Sequence, residues 1–178
     1  MMGKLIVPVG VPGSGKSTLA ATIADAVIIS SDNIREEFFG DANLQYTEEY
    51  AAKKIRQKKI DISGMSEEEL VKLKKKVCAD SVFGTVNYRT RKALEAGKTV
   101  VYDATNISKR GRTYILKSFK GLYDSAEAYY FEVPLEVAIK RNEGRERKVP
   151  VEVIERMAAN MEKPSVNEGF AVVHIITA

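Results

Sequence analysis

Eight consecutive residues, Gly10-Val11-Pro12-Gly13-Ser14-Gly15-Lys16-Ser17, place three glycines, a lysine and a hydroxyl in the spacing that cradles a polyphosphate. Glycines in such a loop reach backbone angles closed to other residues and let main-chain N–H groups approach phosphate oxygens. The spacing assigns Lys16 to the β- and γ-phosphates and the Ser17 hydroxyl to a magnesium ion, so ATP and Mg2+ are the implied donor and ion. A helix beginning near Lys16 would point its positive end at the same phosphates.

A cradle of this kind serves kinases, GTPases and motors alike, and what separates them lies elsewhere in the chain. Asp32 follows the apolar run Val27-Ile28-Ile29 and the pair Ser30-Ser31, just past the expected end of a buried strand, where an open α/β sheet builds its active site. There a carboxylate can take the proton of an attacking hydroxyl, or simply cap the helix that follows. Arg35, one turn on, would project to the same side. Asp103, Thr105 and Asn106 leave a second strand end, either as substrate contacts or as turn chemistry. In Lys140-Arg141-Asn142-Glu143-Gly144-Arg145, a continuing helix would put Arg141 and Arg145 on one face of a mobile lid spanning about 140–150. Lid arginines of this kind neutralise charge on a transferred phosphoryl group.

Positioning these groups requires a layered scaffold. Apolar runs of strand length occur at 5–9, 26–30, 99–102, 128–133 and 171–176, separated by segments with helical spacing. That alternation predicts an α/β fold, a five-stranded parallel sheet with helices on both faces. Ser66-Glu67-Glu68-Glu69 reads as a capping box, Gly97 as the stop of a helix ending near Glu95, and Pro134 and Pro150 as helix starts. Residues 41–80 form a helical insertion of unassigned role, bearing Lys53, Lys54, Arg56, Lys58 and Lys59 on one helix and Lys72, Lys74, Lys75 and Lys76 on the next. Such runs are usually solvated faces; a surface for a polyanion is the other possibility.

Taken together, the blocks 9–18, 30–35, 100–112 and 131–157 resemble the 5′-hydroxyl polynucleotide kinases, the kinase domain of phage-type polynucleotide kinase and of bacterial end-healing enzymes. The resemblance implies a P-loop NTPase fold with a helical lid and nucleic-acid 5′ ends as substrate. Its ATP-binding residues are Gly13, Ser14, Gly15, Lys16, Ser17, Thr18, Arg141 and Arg145. Lys16, Asp32 as general base and Arg145 on the lid are implied as catalytic. Arg35, Asp103, Thr105, Asn106 and Arg112 are implied on the acceptor side, with Arg35 gripping the phosphate beside the terminal nucleoside. Ser31 stands where the phage enzyme has an arginine, and the turn's acid lies at Asp103 because Ala104 precedes Thr105.

Bulk properties agree with one globular domain over 1–178. The chain is 44% hydrophobic and 29% charged, with a formal charge of +4 that suits an anionic substrate without demanding one. No run approaches the roughly 20 apolar residues of a membrane span, and the opening apolar stretch is too short for a signal peptide. The single cysteine, Cys78, fits a packed thiol in a reducing, cytoplasmic setting. Two alternatives to a polynucleotide kinase share the cradle: a kinase of a small molecule such as a nucleoside, nucleotide or sugar acid, and a nucleotide-binding regulatory module. A base and a lid charge, offered by Asp32 and Arg145, count against the last.

Overall fold

In the computed structural model, which describes residues 2–177, the five expected apolar runs are strands. They are β1 Lys4–Val9, β2 Val27–Ser30, β3 Val100–Asp103, β4 Ser125–Glu132 and β5 Val172–Thr177, in the order β2-β3-β1-β4-β5. Strand β1 pairs in parallel with β3 and β4, and β4 with β5. Among the described residues seven α-helices connect them, α1 Lys16–Thr22, α2 Ser31–Phe39, α3 Glu48–Gln57, α4 Glu67–Glu95, α5 Lys109–Ser118, α6 Leu135–Glu143 and α7 Val151–Ala159, with a short 3-10 turn at Val166–Glu168 before β5. The order reverses at β1, whose neighbours are β3 and β4, and such a switch point is where an open parallel sheet leaves its ligand crevice.

The central strand is apolar on both sides because helices cover both sheet faces. Leu5, Val7 and Val9 are wholly buried, each worth about 1.5–3 kcal/mol of burial. On one face Ile6 and Val101 pack with Ala20 of α1. On the other the Tyr102 ring lies 6.3 Å from Phe119, just past α5. Local chemistry sets the helix ends. The Ser66 hydroxyl accepts the Glu69 N–H at 3.3 Å while the Glu69 carboxylate accepts the Ser66 N–H at 2.8 Å, the expected capping box, and Gly97 closes α4's end at φ 71°.

The chain divides into two compact units, one running up to Ile29 and resuming at Arg89, the other Ser30–Tyr88. The first holds the sheet, α1 and α5–α7. The second contains the 41–80 segment and has its own core, in which Ile34, Ala51, Ile55, Val77 and Val82 are buried and Phe38 stacks on Tyr50 at 5.0 Å. Cys78 is buried within it, a packed thiol whose pKa burial pushes up. Several of the segment's cations pair with acids of the same unit: Lys58 with Asp80, Lys72 with Glu68 and Lys74 with Glu48.

A polar cluster that no sequence signal announces sits near the amino-terminal edge of the sheet. The buried Glu127 carboxylate takes a hydrogen bond from Lys4 Nζ at 2.7 Å and lies 3.0 Å from His174 Nε2. Lys4 foremost, then His174, holds this carboxyl below the usual carboxylate range. The cluster ties β1, β4 and β5 together at the end of the sheet opposite the cradle.

Candidate functional site

The glycine-rich loop joins the carboxyl end of β1 to α1, and its shape is dictated by backbone more than by side chains. Gly15 at φ 103° is the N-cap of α1, and Gly13 sits at φ 82°. A Cβ on Gly13 would lie 2.1 Å from the Ala138 carbonyl oxygen and 3.3 Å from Asn142 N, so only glycine lets the loop close against α6. The Gly10 N–H donates to the Thr105 carbonyl at 3.1 Å, which fastens the loop to the turn after β3. Lys16, 8% exposed, folds back and donates to the carbonyls of Gly10 and Val11, both at 2.8 Å. Ser14 Oγ is buried with no hydrogen-bond partner among the described residues. Ser17 and Thr18 are exposed in the first turn of α1.

The turn after β3 is stitched to the same edge. Asn106 adopts a left-handed φ of 50°, and its Nδ2 donates to the carbonyls of Pro8, Tyr102 and Ala104 at 2.8, 3.1 and 3.2 Å. Its amide thus joins the ends of β1 and β3. Asp103 and Thr105 are half-buried beside it. Arg112 is placed differently from the expected substrate contact. It is wholly buried in α5, and all three guanidinium nitrogens are engaged inside the protein. Nε and Nη2 each donate at 2.8 Å to Glu168, and Nη1 donates to the carbonyls of Asn106 and Ile107 at 2.9 and 3.1 Å. Arg112 therefore positions the 103–107 turn, and removing one partner of such a buried pair typically costs about 3–5 kcal/mol.

The lid also departs from expectation. Helix α6 stops at Glu143, and Arg145 lies in the turn beyond it, so Arg141 and Arg145 are not on one continuous helical face. The physical reason is Asn142, a residue the sequence reading passed over. Its buried amide donates through Nδ2 to the Val149 carbonyl at 2.8 Å and accepts the Val149 N–H at 3.0 Å. This clasp closes residues 142–149 into a loop before α7 begins. The only sequence hint was an amide, rather than an apolar residue, on a helix turn just ahead of Gly144. Arg141 is exposed and Arg145 half-buried. Helix α6 packs on α7 and on Val11 of the cradle, so the loop that carries Arg145 starts beside the phosphate site.

In the second unit, Asp32 and Arg35 share one face of α2, as their spacing predicts. Arg35 Nη1 donates to Asp32 Oδ1 at 3.3 Å, and its guanidinium lies over the Phe83 ring, 5.9 Å from the centroid. The cap of α2 is Ser30, whose hydroxyl accepts the N–H groups of Asp32 and Asn33, so Asp32 is released from capping. Its side chain is 44% exposed.

A profile of the AAA domain family (AAA_33) matches residues 5–164 of the chain. The chain belongs to that family. Its sheet order and cradle are those of the P-loop kinase fold. The chain is similar to an L-seryl-tRNA(Sec) kinase of Methanococcus maripaludis, 26% identical over 90% of this chain and 53% of that protein. Among solved structures, it superposes on a chain of the Pnkp1/Rnl/Hen1 RNA repair complex with TM-score 0.60 and 22% identity, covering 89% of this chain and 44% of that one. It matches a sugar kinase from Janibacter equally well, TM-score 0.60 at 17% identity, over 99% of this chain and 86% of the other. This AAA-family chain thus spans about half the length of the first two relatives.

The site fits the nucleotide and ion the motif implies. The close-packed Gly13, the partnerless Ser14 hydroxyl and the Lys16 ammonium held on the loop's own carbonyls form a cradle preset for phosphate oxygens. Among the described residues no group of three or more His, Cys, Asp or Glu forms a metal cage. A magnesium ion would be held by the Ser17 hydroxyl, as the motif assigns, together with the nucleotide's phosphates. No helix of the described residues is long and apolar enough to cross a membrane.

Proposed function

We propose that this domain is an ATP-dependent kinase of nucleic-acid 5′ ends, transferring the γ-phosphate of ATP to a terminal 5′-hydroxyl. The phosphotransferase part of this proposal follows from the family and the cradle. The acceptor part rests on one observation: Arg35 is fixed on the Phe83 ring with Nη1 beside the Asp32 carboxylate. A guanidinium beside the base can grip a phosphate through two parallel hydrogen bonds and so present the hydroxyl of the same nucleotide to that base.

In this scheme Asp32 takes the proton of the 5′-hydroxyl. The oxygen forms the new bond to the γ-phosphorus as the bond from that phosphorus to the β–γ bridging oxygen breaks, and ADP leaves. Lys16 releases the Gly10 and Val11 carbonyls for the β- and γ-oxygens, while Arg145 and Arg141 neutralise charge on the phosphoryl group in flight. Bound at Ser17, magnesium would add charge neutralisation across the same oxygens. Thr105 and Asp103 flank the acceptor, on the turn that Asn106 and Arg112 hold in place.

A second proposal, a small-molecule kinase, draws support from the sugar kinase likeness, which runs nearly end to end in both chains. The two proposals part on acceptors. Labelled γ-phosphate should move from ATP to 5′-hydroxyl oligonucleotides and to a nucleoside 3′-monophosphate, and poorly to a bare nucleoside. Arg35→Lys should raise KM for the phosphorylated acceptors at least tenfold, the loss of one charged hydrogen bond of about 1.5–3 kcal/mol. Efficient labelling of a sugar acid or free nucleoside, with none on oligonucleotides, would leave the kinase and remove the polynucleotide acceptor.

A further inference from the structure

Helix α5 stands apart from the other helices in its charge. Its ten residues, Lys-Arg-Gly-Arg-Thr-Tyr-Ile-Leu-Lys-Ser, contain four cations and no acid. Arg112 is the inward one. Lys109, Arg110 and Lys117 point out, exposed, and none has an ion-pair partner among the described residues. Lys109 and Arg110 occupy the first turn, where the helix dipole disfavours positive charge by about 0.3–1 kcal/mol. Every other helix except α1, which opens at the phosphate cradle, carries Asp or Glu there. At α5 the acid comes from elsewhere in the chain, Glu162, and the helix's own first turn stays cationic.

The same face is grooved and carries an aromatic ring. Lys109, Arg110, Thr113, Tyr114 and Lys117 line an open groove of about 530 Å³ together with Glu162. Tyr114 is 62% exposed, its ring in solvent between the cations. Glu162, the one acid present, has its carboxylate taken up by the Lys109 backbone N–H at 2.7 Å. An open groove with cations spaced around an exposed ring is the arrangement that tracks single-stranded nucleic acid, charge meeting phosphates and ring meeting a base. A duplex keeps its bases stacked inside and would give the ring no base to meet. The groove begins directly after the 103–107 turn, at the carboxyl edge of the sheet.

We propose that the α5 groove of Lys109, Arg110, Tyr114 and Lys117 binds the single-stranded segment of a nucleic-acid acceptor, beyond the nucleotide that is phosphorylated. This rests on the polynucleotide acceptor proposed above and adds a second, separate contact surface. It predicts that affinity grows with strand length, because a longer strand lays more phosphates and bases along the groove.

The test uses the full chain, fluorescein-labelled 5′-hydroxyl single strands of two to twelve nucleotides, and fluorescence anisotropy, so that binding is read without turnover. The parent should bind longer strands more tightly, with a salt dependence that Lys109→Glu/Arg110→Glu/Lys117→Glu lowers by about two in log–log slope. Tyr114→Ala should weaken binding of the longer strands by about 5- to 100-fold, the stacking of one base. Transfer to a nucleoside 3′-monophosphate should be unchanged in both variants, which also shows that they fold. Equal affinity and slope in parent and triple variant would overturn the groove, as would no binding by the parent at low salt. Groove-dependent binding with no transfer to any strand would uphold the groove while overturning the 5′-kinase proposal.

Discussion

The donor half of this kinase fold and the acceptor half proposed for it are built from different materials. The cradle is backbone: Gly13 pressed on the Ala138 carbonyl, Gly10 bonded to Thr105, and a buried Lys16 resting on the loop's own oxygens. The Asp32–Arg35 pair is side-chain chemistry on one helix, joined at 3.3 Å and part-exposed on both sides. A backbone cradle tolerates almost no substitution, so it carries the same signature wherever it occurs. Exposed side chains can be exchanged while the helix stays, so they tell acceptors apart and differ between kinases. The family is therefore plain from the first half, and the acceptor must be argued from the second.

Breaking the donor half should produce the largest effect. Lys16→Ala removes the cation at the β- and γ-phosphates and should lower transfer to every acceptor by about 10³-fold or more, measured with labelled ATP. Turnover near the parent rate would mean the cradle does not carry the chemistry. Breaking the acceptor half should be selective instead. Asp32→Asn keeps the helix, because Ser30 supplies the cap, but cannot accept a proton. Transfer should fall by about 10²–10⁴ while ATP affinity holds. If ATP affinity collapsed with it, the two halves would not be separable and the contrast drawn above would fail.

How far the sequence reached follows the same division. The strands were legible because a sheet covered on both faces needs near-continuous apolar runs, and 5–9 is such a run. The cradle was legible because its glycines answer to backbone geometry. Asp32 and Arg35 on one helical face followed from spacing alone. What escaped were roles that depend on distant partners. Arg112 looked like one more cation near a substrate turn, and nothing local announces Glu168 as its partner, 56 residues on. Spacing puts Arg141 and Arg145 on one face only if the helix continues, and it cannot register a side chain that bonds seven residues ahead and ends it. The α5 face is inconspicuous in the sequence beside the denser lysines of 53–76, since a count of cations ignores what surrounds them. In the structure Lys58, Lys72 and Lys74 meet acids, whereas α5 has no acid of its own and keeps Lys109, Arg110 and Lys117 in solvent around Tyr114.

The smallest effect, and the one that sharpens the contrast most, belongs to Asn142. This residue lies in the donor half yet acts through its side chain, fastening the ends of the loop that carries Arg145. Asn142→Ala leaves the Val149 N–H and carbonyl without their partner, two hydrogen bonds worth about 0.5–1.5 kcal/mol each. The melting temperature should drop by several degrees, given about 2–4 °C per kcal/mol for a chain of this length. Turnover should fall by about tenfold, because a loosened loop places Arg145 correctly for only part of the time, while ATP affinity stays close to the parent's. Arg145→Ala should lower turnover further, and adding Asn142→Ala to it should change turnover no more, since a clasp has no purpose once the residue it positions is gone. Melting temperature, by contrast, should still drop in the double variant, which separates the clasp's structural share from its catalytic one. If Asn142→Ala lowered the melting temperature and left turnover untouched, the loop would need no fastening to place its arginine. The donor half would then end at α6, built from backbone alone.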